Sequence, residues 1–370
     1  MNPRGRLAPS PTCRRCPPDG RGARPGRGFG CGQRASCGPA PEVVRPRASV
    51  AAASVVAACV VASSLGCGAA VAGAARAADA GPASEAGGVG TGGVGNGGGE
   101  APPAAVVLPV SLAMRDGRSV DGARLSHDRV VAALAAARVV YVGELHSVAA
   151  HHGLQAAIVG ALVAAIGGER PVGVGLEMVA RPLQPVLDAW VAGSLDEETL
   201  LRRLDWERRW GFDFALYRPV FALARERGLP MFALNARPEV VRKVGRGEPL
   251  DAAERAELPE IDRENAAHTA MVRAMLAGHP GLTEAALDRY VEAQRVWDET
   301  MAEHVARALA APDAPRVLVV LAGVAHVRGG HGIPSRAARR GVGPQLVVLP
   351  ADADPAPGDA DFVYDVERAP

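Results

Sequence analysis

Two apolar runs that each break at a glycine and lead to a histidine limit what this chain can fold into. The first is Val139-Val140-Tyr141-Val142-Gly143-Glu144-Leu145-His146, and the second is Arg316-Val317-Leu318-Val319-Val320-Leu321-Ala322-Gly323-Val324-Ala325-His326. β-Branched and aromatic residues favour strands. A short run that is apolar on both faces reads as a buried strand of a parallel sheet. The glycine marks the strand's exit, and the polar residues after it are presented there. Further strands are expected at 171–176, ending in Glu177, at 230–234, ending in Asn235, at 345–349 and at 362–364. A short edge hairpin fits around Asp116-Gly117.

Helical patterns lie between these strands. They cover 127–137 with Ser126 as cap, 151–166 stopped by Gly167-Gly168, and 182–191. They continue over 196–204 with Ser194 as cap and over 214–227 stopped by Gly228, and Pro238 opens a short helix. Residues 251–311 read as helical throughout, with a break at Gly278-His279-Pro280-Gly281. That segment is too long for a simple crossover. The expected fold class is therefore α/β: a largely parallel sheet flanked by helices, with a helical insertion or lid before the last core strands.

Upstream the chain changes character. Residues 1–42 are rich in Arg, Pro, Gly and Cys without hydrophobic period, and read as a disordered leader or a start placed too early. Cys13, Cys16, Cys31 and Cys37 are spaced too loosely for a zinc knuckle. Residues 43–67 read as a signal peptide: Arg45-Pro46-Arg47 is a positive n-region, and small apolar residues follow to Gly66. The stretch Ser64-Leu65-Gly66-Cys67 resembles a lipoprotein cleavage site with Cys67 as the lipidated residue. The usual leucine, however, sits one position further from the cysteine; Cys59 fits that spacing but leaves a very short apolar run. Residues 68–104 form a Gly/Ala-rich tether, and 105–370 the folded domain. The expected location is across the inner membrane, periplasmic or anchored as a lipoprotein. All six cysteines lie at or before Cys67, so the folded part uses neither disulfides nor thiolate ligands. A formal net charge of +1 gives no overall field to attract nucleic acid.

Ligands of open parallel sheets bind beyond the carboxyl ends of the strands. The polar residues expected there are Glu144, His146, Glu177, Asn235 and His326. Imidazole with carboxylate suits zinc, manganese or iron, with His146, Glu144, His326 and Glu177 as ligands. It equally suits metal-free hydrolysis, in which Glu144, His146 and His326 are the catalytic groups. A second dense stretch runs from Trp206 to Pro219 in a chain with only 4% aromatic residues. It reads either as a packed corner or as an aromatic and arginine wall for a flat anionic ligand. In the second case Arg218 would contact the ligand, and Tyr217 could offer a phenolate to iron.

The stretch 140–146, with His152 and Gln155 after it, resembles the opening motif of the ChaN-like haem-binding family. Its superfamily includes Tiki/TraB proteins and, more distantly, erythromycin esterases. The likeness continues through Gly175-Leu176-Glu177-Met178, Arg181–Pro185, the Trp206–Pro219 block, Ala233–Ala236, Gln294–Ala302 and Leu321–His326, and it spans about residues 125–350. Ser147 departs from it, since the family commonly has aspartate there. The resemblance implies haem as ligand, held through tyrosine in a pair of cofacial haems by a homodimer, with iron uptake as the role. It supplies no motif that places that tyrosine here. In the wider superfamily the paired Gly-x-x-His motifs and a glutamate form a divalent-metal or hydrolytic site, which corresponds to His146, His326 and Glu144 or Glu177.

Overall fold

The computed structural model describes residues 118–119, 122–168, 171–277 and 281–366. The expected leader, signal peptide with Cys67 and tether, most of the expected Asp116-Gly117 hairpin, and His279 lie outside the described residues.

Among the described residues seven strands form one sheet: β1 (Arg118–Ser119), β2 (Val139–Glu144), β3 (Val172–Ala180), β4 (Met231–Asn235), β5 (Val317–Gly323), β6 (Gln345–Pro350) and β7 (Phe362–Tyr364). Their order is β1-β7-β6-β2-β5-β3-β4. Every neighbouring pair from β7 to β4 is parallel, and β1 closes the β7 edge antiparallel. The chain is thus α/β, as the alternation of strands and helices predicts.

Alternate residues of each strand serve opposite cores. Val140, Val142, Val174, Leu176, Val319 and Leu321 face one layer of helices, while Val139, Tyr141, Leu318 and Val320 face the other. The first layer holds α1 (His127–Ala136), α2 (Ala149–Ile166), α3 (Gln184–Val191), α4 (Glu197–Leu204), α5 (Trp206–Arg209) and α6 (Phe214–Arg227). After β4 come α7 (Pro238–Arg246), α8 (Ala252–Ala256), α9 (Ala266–Leu276) and α10 (Glu284–Ala310), and after β5 come α11 (Val324–Val327) and α12 (Ile333–Arg339). Met301, Ala302 and Val305 of α10, with Ile333 and Ala337 of α12, cover the second face. Each fully buried Leu, Ile or Val contributes roughly 1.5–3 kcal/mol, so the central strands anchor the fold.

The helical segment before β5 is present, with two refinements. Its final helix, α10, lies on the sheet and carries the chain from β4 to β5. The segment is also not helical throughout: Pro259 sits in an irregular stretch, and Asn265 starts α9 by accepting from His268 N at 2.9 Å. Capping differs as well. Asp196, not Ser194, caps α4 through Thr199 N at 2.8 Å, and Ser126 precedes α1 without a side-chain capping bond. Asp196 wins because its carboxylate adds charge at the helix N-terminus.

The strand order places the site. β2 and β5 are neighbours, with Glu144 in register with Gly323. The connection from β2 crosses one face toward β3, and that from β5 crosses the other face toward β6. Between two strands whose connections part in this way a crevice opens at their carboxyl ends.

Candidate functional site

Glu144, the last residue of β2, is the hub of one half of the site. Its Oε1 accepts from His146 Nδ1 at 2.8 Å and from the Tyr217 hydroxyl at 2.8 Å, and its Oε2 accepts from Gln155 Nε2 at 2.6 Å. Burial opposes its charge, but the His146 bond, the nearby His152 and Gln155 hold the carboxyl down to about 2. His146 is buried enough to disfavour a proton, yet its bond to Glu144 and the nearby Glu177 charge raise its pKa above the ordinary value. Its side chain keeps 18% of its surface exposed.

The other half is a row of alternating acids and imidazoles. His326 Nε2 lies 3.1 Å from Glu177 Oε1, and His326 Nδ1 lies 2.6 Å from Asp298 Oδ1. Asp298 Oδ2 is 2.8 Å from His268 Nε2. Burial works against a charged His326, but the two flanking carboxylates outweigh it and push the imidazole up to about 10. Gln294 Nε2 lies 2.9 Å from His326 Nδ1, beside that atom's bond to Asp298. Asp298 is held down to about 2 against its own burial by His326 and His268.

The halves meet at Gly323. Its N–H donates to Glu177 Oε2 at 2.6 Å. A Cβ at 323 would lie 2.9 Å from His146 Cε1 and 3.1 Å from Nε2, so only glycine lets that ring rest there. Trp210 stands edge-on to His146 at 4.8 Å and Phe212 tilts against it at 5.0 Å. A second latch fixes the loop below: His151 Nδ1 accepts from Leu145 N–H at 2.9 Å, so His151 Nε2 carries the proton donated to Asp352 at 2.7 Å.

The sheet edge therefore gathers Glu144, His146, Glu177 and His326. Glu177 is not a strand end, since β3 runs on to Ala180. Its ladder with β5 stops at Leu176 and its pairing with β4 shifts register there. That release frees Glu177 to reach Gly323. His152 supports the site: its Nε2 lies 3.1 Å from the His146 carbonyl oxygen, and its ring packs on Tyr217 at 4.3 Å. Asn235 ties the β3 bulge, donating to the Glu177 carbonyl oxygen at 2.8 Å and accepting from Ala236 N.

Two expected site residues lie as follows. Arg218 is exposed, pairs with Glu197 at 2.7 and 2.8 Å and lies over Phe214. Tyr217 is buried, and burial with the Glu144 charge raises its pKa. The four residues expected as metal ligands pair with one another. Among the described residues no group of three or more His, Cys, Asp or Glu has a metal-holding geometry.

The residues not foreseen as functional are Asp298, Gln294 and His268. Gln294 and Asp298 are four apart and fully buried on α10. Polar residues at that spacing on a helix face that otherwise packs on a core are the signal that marks them.

A doubly covered parallel sheet with buried acid–imidazole pairs at its switch point defines the class of this chain as α/β. Residues 130–337 match the family described as haem-binding uptake, Tiki superfamily, ChaN, and the chain belongs to that family. Among solved structures, a chain titled cofacial heme binding to ChaN of Campylobacter jejuni is similar at 20% identity and TM-score 0.57, over 68% of this chain and 98% of that one. An erythromycin esterase mutant in its open conformation aligns at 14% identity and TM-score 0.39, over 69% and 84%. The type III effector HopBA1 aligns at 14% identity and TM-score 0.38, over 70% and 99%. No curated protein matches.

Proposed function

We propose that this chain binds haem in the crevice beyond β2 and β5, as an extracytoplasmic protein held near a membrane by its tether and Cys67. Membership of the haem-binding family over residues 130–337 carries the reading. The site fits such a ligand in kind. It offers a partly exposed imidazole, His146, and the aromatic rings of Trp210 and Phe212 beside it. Bound haem would supply an iron centre, as cargo for uptake. The Campylobacter relative's cofacial haems suggest that two copies of this chain face each other across the ligand. Haemin added at micromolar concentration to the full chain is expected to give a shifted Soret band that saturates. An unshifted Soret band at that concentration overturns the proposal.

One observation favours a second reading. Glu144 holds His146 at 2.8 Å as in a general base with its orienting carboxylate, and a charged His326 stands close by as an acid. In this reading the chain hydrolyses an ester or amide. Turnover of simple ester substrates by haem-free protein, lost in His146→Ala, supports it. Equal background rates for both proteins remove it.

A further inference from the structure

We propose that His151 is an acid-sensitive latch on the loop that carries His146, so that acid frees the backbone just ahead of that residue. The latch stands on its own geometry; its effect on a bound ligand rests on the haem reading above.

His151 lies in the first turn of α2 and is fully buried. It joins the loop after β2 to the turn after β6. On one side its Nδ1 accepts from the Leu145 N–H at 2.9 Å, and on the other its Nε2 donates to Asp352 Oδ1 at 2.7 Å. Asp352 sits in the turn Ala351–Ala353. Arg328 pins the chain that follows this turn, at the Asp354 carbonyl oxygen at 3.2 Å and at Asp359 Oδ2 at 2.8 Å. The ring is thus fastened to a fixed strap, and the loop hangs from its other nitrogen. Ser147 is exposed and Leu145, His146 and Val148 are half-buried, so this loop can shift without uncovering the core.

Two imidazoles of α2 hold the loop's backbone, and acid acts on them differently. His152 Nε2 lies 3.1 Å from the His146 carbonyl oxygen, a bond that a charged ring still donates. The His151 bond needs a bare nitrogen. A charged imidazole donates from both nitrogens, which would set N–H against N–H at Leu145. A positive ring in the first turn also opposes the helix dipole. The charged and titratable groups facing His151 are Asp352 from the turn after β6, Glu144 from β2 and His152 beside it on α2. Burial holds His151 below its ordinary 6.5 and His152 adds to this, while Asp352 and Glu144 oppose it. The latched ring therefore refuses a proton that the released ring accepts. Below 6.5, release gains that proton, and acid favours the open loop.

The test follows amide hydrogen exchange of Leu145 by NMR in the full, haem-free chain, as protection relative to the intrinsic rate at each pH. Wild-type protection is expected to fall by about tenfold to thirtyfold between about pH 7.5 and about pH 5, the linkage of one released imidazole. Val319, in the core of β5, should stay protected, which separates local release from unfolding. His151→Asn sets an amide oxygen near the place of Nδ1 and cannot take the proton, so its Leu145 protection should not change with pH. Asp352→Asn removes a charge that favours the proton on His151, so its fall should move to lower pH. Wild-type haemin affinity should drop more steeply in acid than that of His151→Asn. Three results overturn the latch: constant Leu145 protection in the wild type, an equal fall in His151→Asn, or a fall in Asp352→Asn that does not move down. Parallel loss of haemin affinity in wild type and His151→Asn overturns only the effect on the ligand. An unshifted Soret band at neutral pH overturns the haem reading and leaves the latch standing.

Discussion

Asp298→Ala is expected to destabilise the folded protein by about 3–5 kcal/mol, read from urea denaturation at neutral pH. Asp298 is fully buried on α10 and accepts from two imidazoles, His268 at 2.8 Å and His326 at 2.6 Å. Its removal leaves His326 charged in a dry site with only Glu177 as counter-charge, and His268 without its partner. Breaking one side of a buried, hydrogen-bonded charge pair is far costlier than losing an exposed one. Asp298→Asn keeps an acceptor oxygen for one imidazole and should lose less. A change below about 1 kcal/mol, the usual value of an exposed ion pair, would show that His326 is not held charged by Asp298.

The stability difference between wild type and His326→Gln should shrink as pH rises. Burial opposes the His326 charge, but Glu177 and Asp298 raise its pKa from 6.5 to about 10 in the folded state. A folded pKa above the unfolded one means that the folded form binds the proton more tightly. The group's contribution is therefore full below 6.5 and fades as pH climbs through about 10. His326→Gln lacks it throughout. Denaturation midpoints of both proteins across that range should converge at the alkaline end. A gap that stays constant with pH contradicts a charged His326. Asp298 works in the opposite direction: its folded pKa is depressed, so its contribution holds above 3.8 and is lost as pH falls through about 2.

The sheet was legible because its strands are written in β-branched runs. Val139–Val142 and Val317–Leu321 have no helical period and end in glycine, and they proved to be paired neighbours. The three residues that extend β3, Met178, Val179 and Ala180, carry no stop signal and read as readily as the approach to the next helix. Residues 257–265 were read as helix although Leu258-Pro259 breaks one and Asn265 starts the next.

The site was half legible for a related reason. Glu144, His146 and His326 follow strand ends directly, so their place is set by local sequence plus the rule for open sheets. Asp298 reaches His326 across 28 residues and His268 across 30, contacts that only the packing of α9, α10 and α11 creates. Tyr217 and Arg218 adjoin in sequence but point to different environments, because neighbours on a helix face about 100° apart. One turns inward to Glu144 and the other outward to Glu197.

The most direct measurement is the position of iron in crystals of the protein grown with haemin, located by its anomalous scattering. The expected peak lies beyond the carboxyl ends of β2 and β5, beside His146, Trp210 and Phe212. An iron peak elsewhere on the molecule, with the Glu144–His146 and Glu177–His326–Asp298 groups untouched, would contradict the assignment of this crevice as the haem site.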